Sequence, residues 1–141
     1  MGVALTRWLA ARGWLAPLPP PEGTPPGRGN APVLGTYRLT DAGAAGLARL
    51  GVPASGVAAG RQYKACADYT TRLPNGQRGV PHVGGALGAA LADWLLASGY
   101  ALRMDGAASV YDRRTLLLTA RGRLRLGELG VLDAAGATVA V

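Results

Sequence analysis

Tyr37–Val52 reads YRLTDAGAAGLARLGV, and Leu116–Val131 reads LLLTARGRLRLGELGV. The two stretches are versions of one phrase. Leu39, Thr40, Gly43, Leu47, Leu50, Gly51 and Val52 recur as Leu118, Thr119, Gly122, Leu126, Leu129, Gly130 and Val131. A second pair lies upstream of each in the same order. Gly2–Trp14 is GVALTRWLAARGW and Gly88–Tyr100 is GAALADWLLASGY, with Ala4, Leu5, Trp8, Leu9, Ala11 and Gly13 recurring as Ala90, Leu91, Trp94, Leu95, Ala97 and Gly99. An internal repeat governs how every other feature is read, because a unit that occurs twice folds as a unit.

Each copy has the same grammar. Leu87, Leu91, Trp94 and Leu95 fall on one stripe of a 3.6-residue period, and Val3 or Leu5 with Trp8 and Leu9 give the matching stripe. Gly13 and Gly99 follow the last turn, where a left-handed cap residue is wanted. An aromatic and a short apolar run then lead into a strand. The return strands are expected over 33–39 and 110–118. Between outgoing and return strand, copy one carries a Pro/Gly-rich loop from Pro17 to Pro32, and copy two a shorter turn around Asp105-Gly106. Thr40 and Thr119 stand where a hydroxyl can cap the next helix. Those helices are expected over 41–50 and 120–129, closed by Gly51 and Gly130. The fold class is therefore α+β: two tandem winged-helix-like units sharing a core, each a helix, a β-hairpin and a Leu-Thr-capped helix. The boundaries are 1–53 for the first unit, 54–81 for a connecting segment and 82–141 for the second.

The 141 residues suit one domain, or two small units on one core. Hydrophobic residues make up 49% of the chain with no Phe, so Leu, Val, Trp and Tyr must supply the bulk of that core. The net charge of +7, from fourteen Arg and one Lys against eight acids, suits a polyanionic partner. An arginine-rich, Ala/Gly/Pro-rich composition produces the same charge without any partner. One cysteine excludes an intrachain disulfide and fits a reducing compartment such as the cytoplasm. The opening MGVALT has the form of an acylation signal, and 83–102 approaches the length of a bilayer span with Asp93 its only charge. Both have counterparts elsewhere in the chain. The helix equivalent to the apolar one bears Thr6, Arg7 and Arg12, so folded structure is expected in both places and no membrane.

A helix, a two-stranded wing and Leu-Thr-x-x-Gly opening a further helix resemble the back half of a winged helix-turn-helix. More closely, the chain is similar to the C-terminal region of bacterial regulators related to the ArsR family. Those regulators carry a motif like Arg-x-Cys-x-Asp-Trp, then His-Leu-x-Gly-x-Leu-Gly, then Leu-Thr-x-x-Gly. Cys66-Ala67-Asp68-Tyr69 resembles the first, with Tyr for Trp; His82-Val83-Gly84-Gly85-Ala86-Leu87-Gly88 resembles the second. Tyr37-Arg38-Leu39-Thr40 and Leu117-Leu118-Thr119, with Arg121 beside Gly122, resemble the third. The stretch from Leu73 to Pro81 is longer than the family's link. The resemblance implies an effector-sensing or dimerisation region of a transcriptional regulator, with the N-terminal DNA-reading module expected elsewhere: on a longer chain or on a separate protein. It implies a homodimer or association with such a module.

The residues themselves say what this chain offers to DNA. A base reader needs Arg, Lys, Asn or Gln. From His82 to Leu102 there is none, and the equivalent helix offers only Arg7 and Arg12. The other basic candidates are Arg113 and Arg114 on the second wing and Arg121 and Arg125 on one face of the last helix, with Arg123 pointing away. These suit phosphate contact, so weak or non-specific DNA binding is expected of the chain alone.

Reactive side chains gather in one place: Cys66, Asp68 and His82. They are the candidate sensing residues, with Lys64 near the thiol. Packing alone also accounts for a buried cysteine and a locally bonded histidine. As metal ligands they fall short of a closed structural zinc site, though they are enough for an open or intersubunit one; no metal or other cofactor is expected. No catalytic residue is assigned. The rival readings are a small cysteine-dependent enzyme using Cys66 and His82, and a stand-alone interaction module.

Overall fold

The Leu-Thr-x-x-Gly phrase acts through its threonine and its glycine. Thr40 Oγ1 accepts from the Gly43 N–H at 3.0 Å and donates to the Gly13 carbonyl at 2.9 Å. Thr119 Oγ1 accepts from the Gly122 N–H at 2.9 Å and donates to the Gly99 carbonyl at 2.8 Å. Each hydroxyl thus satisfies a free helix N–H and ties the new helix to the end of the previous one. The motif glycine is needed for clearance. A Cβ on Gly43 would overlap the Trp14 carbonyl, and one on Gly122 the Tyr100 carbonyl.

A computed structural model describes residues 1–24, 34–68, 79–104 and 115–133. Among them the elements run α1 (Gly2–Ala11), β1 (Leu15–Leu18), β2 (Thr36–Leu39), α2 (Asp41–Arg49), β3 (Gln62–Asp68), β4 (Val80–Val83), α3 (Gly85–Ala97), β5 (Ala101–Arg103), β6 (Leu116–Leu118) and α4 (Ala120–Glu128). The chain is α+β, with four helices, a four-stranded antiparallel sheet in the order β1-β2-β3-β4, and a two-stranded sheet β5-β6.

Helix ends recur between the copies. Gly13 and Gly99 sit at φ 67° and 66°, and Gly51 and Gly130 at 80° and 75°. After each, a backbone N–H reaches back to close the last turn: Trp14 to Leu9, Tyr100 to Leu95, Val52 to Leu47 and Val131 to Leu126. The paired helices also exchange hydrogen bonds. Trp8 Nε1 donates to the Leu129 carbonyl at 2.7 Å; Trp94 Nε1 donates to the Leu50 carbonyl at 2.9 Å. Each tryptophan meets the following aromatic edge to face, Trp8 on Trp14 at 5.3 Å and Trp94 on Tyr100 at 5.5 Å. One core joins both halves, with Leu9, Leu39, Leu47, Leu87, Leu95 and Leu126 fully buried.

Several expected bounds shift. Pro17 lies inside β1, opposite Tyr37, rather than opening the loop. β1 is an edge strand, where a missing N–H costs no ladder bond. The first return strand begins at Thr36, and its expected start at Val33 lies outside the described residues. The segment assigned to 54–81 does not stand apart: β3 pairs with β2, and β4 with β3. His82, a motif residue next to the helical block, lies on β4 and not in a first helical turn.

The larger sheet has one buried face. Register places Leu15, Tyr37, Leu39, Tyr63 and Val83 on it, all buried, and puts Arg38, Gln62, Lys64 and Cys66 on the other. The sheet curls, so that α1 packs on both edge strands, β1 and β4. Thr6 makes the junction with β4. Its hydroxyl donates to the Gly2 carbonyl at 2.8 Å and accepts from the Val83 N–H at 2.9 Å. An edge that would otherwise present a bare N–H is thereby closed. No helix among the described residues is long and apolar enough to cross a membrane.

Candidate functional site

The β3–β4 ladder brings Cys66 and His82 together. They are direct partners in antiparallel register, so both side chains project from one face of the sheet. Asp68 lies two residues along β3 on that same face. The three candidate sensing residues, sixteen positions apart at their widest in sequence, therefore form one cluster.

Their surroundings differ. Cys66 is exposed, and its Sγ packs against the backbone of Gly84, the residue that caps α3. A Cβ on Gly84 would overlap the sulfur, which gives that motif glycine a steric reason. Gly84 is held there by its N–H, bonded to the Lys64 carbonyl at 2.9 Å. His82 is half-buried. Its ring lies under the first turn of α1, where a Cβ on Gly2 would come within 2.7 Å of Cδ2. Its Nδ1 is buried with no hydrogen-bond partner.

Burial is the largest influence on the imidazole and pushes its pKa below the usual histidine value. The Asp68 carboxylate and the Val80 backbone carbonyl oppose this, and the chain's amino group adds to it. Desolvation on a strand thus favours the neutral imidazole. A neutral ring beside a thiol can accept its proton or offer a nitrogen to a soft ligand. No group of three His, Cys, Asp or Glu among the described residues could hold a metal ion.

The basic candidates fall into two groups. Arg113 and Arg114 lie outside the described residues. Arg121 and Arg125 are brought together around Tyr100: Arg121 lies over its ring at 5.5 Å, and Arg125 pairs with Glu128 at 3.0 Å. With Leu124, which is 72% exposed, these residues line a shallow basic hollow. The ion pair is exposed, so Arg125 is cheaply released for another anion.

Two residues carry structure that the sequence reading passed over. Arg12 stacks over Trp8 at 4.8 Å and Trp14 at 5.7 Å and donates to the Leu129 carbonyl at 3.1 Å, so its exposed guanidinium is engaged by the fold's own surface. Thr6 is the buried polar bridge to β4. Its signal was a hydroxyl at a position where the other copy has Ala92. No family model matches the chain, and no curated protein or solved structure is significantly similar to it.

Proposed function

We propose that the chain is the effector-sensing or dimerisation region of a winged-helix transcriptional regulator, built from two tandem winged-helix-like units, and that DNA reading is supplied by another module. The observation that carries this reading is the doubled geometry. Helix, hairpin and Thr-capped helix occur twice with matching caps, and reciprocal tryptophan bonds join them. The two long helices offer little to base edges: α3 has no base-reading side chain, and α1 has only Arg7, since Arg12 at its C-cap is held by Trp8, Trp14 and Leu129. Arg121 with Arg125 on α4 gives a paired basic surface that suits phosphates.

On this reading the region acts in the cytoplasm, as a homodimer or joined to its reader, and needs no cofactor and catalyses no reaction. Duplex binding by the purified chain tests it. Affinity should be weak, indifferent to sequence and steeply salt-dependent, because counterion release drives it. Replacing both Arg121 and Arg125 by Gln should reduce the salt slope by roughly one for each residue that touches a phosphate. Tight binding to one sequence in the presence of competitor would overturn the division of labour.

A further inference from the structure

We infer that the open end of the buried face of the larger sheet is a binding site for a small, mainly apolar molecule bearing one hydrogen-bond acceptor, read by the Tyr37 hydroxyl. The buried face does not end where the core ends. Beyond Leu15, Leu39 and Val83 it continues through Pro17, Tyr37, Ala65 and Pro81, which lie on the same face by register. With Leu34 and Pro19 these residues line a groove of about 350 Å³. That volume is at the lower end of the range for small-molecule sites, which are mostly apolar with a few placed polar groups. Pro17, Pro19 and Pro81 fix their own backbone torsions, so much of the wall is formed before anything binds.

Tyr37 is the polar group. It is 8% exposed, yet no hydrogen bond engages its hydroxyl among the described residues. A sealed, unbonded phenol would be costly. It is not sealed. Among the described residues the one fully buried side-chain N or O without a partner is His82 Nδ1, so the Tyr37 oxygen keeps some contact with solvent, and Tyr37 itself lines the groove. Burial raises the phenol's pKa, which keeps it a proton donor across the physiological range. A ring-sized ligand with a carbonyl or similar oxygen fits both features.

The groove also lies across the sheet from the Cys66–His82 cluster, on the same two strands, β3 and β4. It gives the sensing half of the proposed function a ligand class and rests on that reading only for its biological use. Direct binding needs no DNA, so failure here and failure of the DNA tests are separate results.

Acetophenone and ethylbenzene, alike in size with one acceptor and none, are the probes. Both should shift the backbone amide resonances of Tyr37 and Ala65, and acetophenone should bind about fivefold more tightly, as one hydrogen bond would give. Tyr37→Phe should erase that preference while ethylbenzene still binds. Ala65→Leu, which fills the groove from the sheet side, should abolish both. No shift with either probe up to its solubility limit overturns the inference. So does a preference for acetophenone that survives Tyr37→Phe, or full binding by Ala65→Leu.

Discussion

Trp94→Ala isolates the contact that joins the two copies. The side chain is 5% exposed, packs edge to face on Tyr100, and donates from Nε1 to the Leu50 carbonyl at the end of α2. Truncation loses the ring's burial and leaves a cavity, which together cost about 3–5 kcal/mol for an aromatic of this size. Trp94→Phe separates the polar part. It keeps most of the ring but strands a partly buried carbonyl, at about 1–2 kcal/mol. The equivalent change, Trp8→Phe, should cost less, below about 1 kcal/mol, because the Leu129 carbonyl keeps Arg12 as a donor at 3.1 Å. Urea unfolding followed by far-UV circular dichroism reads all three without relying on tryptophan emission. A loss under about 1 kcal/mol for Trp94→Ala would place the ring outside the shared core and refute the packing described. Equal costs for the two Phe variants would refute the role given to Arg12.

Thr6→Val keeps the shape but strands the Val83 N–H; a loss of about 1–3 kcal/mol in urea unfolding is expected, and none would mean the edge is satisfied by water. Gly43→Ala and Gly122→Ala force the same clash with the preceding aromatic's carbonyl, so each should lower stability by about 1–3 kcal/mol, and a neutral result at either would deny the close approach. His82 has a folded pKa below its unfolded value of about 6.5, so its contribution is present above that pH and is lost as pH falls through the folded pKa. The urea midpoint should decline on acidification below about pH 6.5, His82→Gln should flatten that decline, and Asp68→Asn should move the imidazole titration seen by NMR still lower. Exposed Cys66 should be alkylated in the folded chain without prior unfolding; an inert thiol would reduce the Cys66–His82 pair to packing.

Much of this architecture was legible because it is written twice. Thr40 and Thr119 cap, and Gly51 and Gly130 close, as local chemistry requires. The strand containing His82 was not legible. Its apolar neighbours Val80 and Val83 are too few to carry a period, and Gly84-Gly85 gave no sign that the break falls after Val83. Pro17 was read as a loop residue because proline disrupts ladders, yet an edge strand tolerates it. Cys66, Asp68 and His82 could be grouped by their scarcity, but only pairing of β3 with β4 sets thiol opposite ring. The long-range bond of Arg12 to Leu129 has no local sequence signal, and that of Thr6 to Val83 is marked only by a hydroxyl where the other copy has Ala92.

Crosslinking the chain to DNA in cells that express it at native level, followed by sequencing of the recovered fragments, tests the functional proposal most directly. If the chain serves a regulator whose reading module lies elsewhere, recovery should concentrate at a small set of loci. The purified chain should enrich no sequence from a random duplex pool at about 0.15 M salt. Recovery spread evenly over the genome, or no recovery of DNA at all, would contradict a role in transcription.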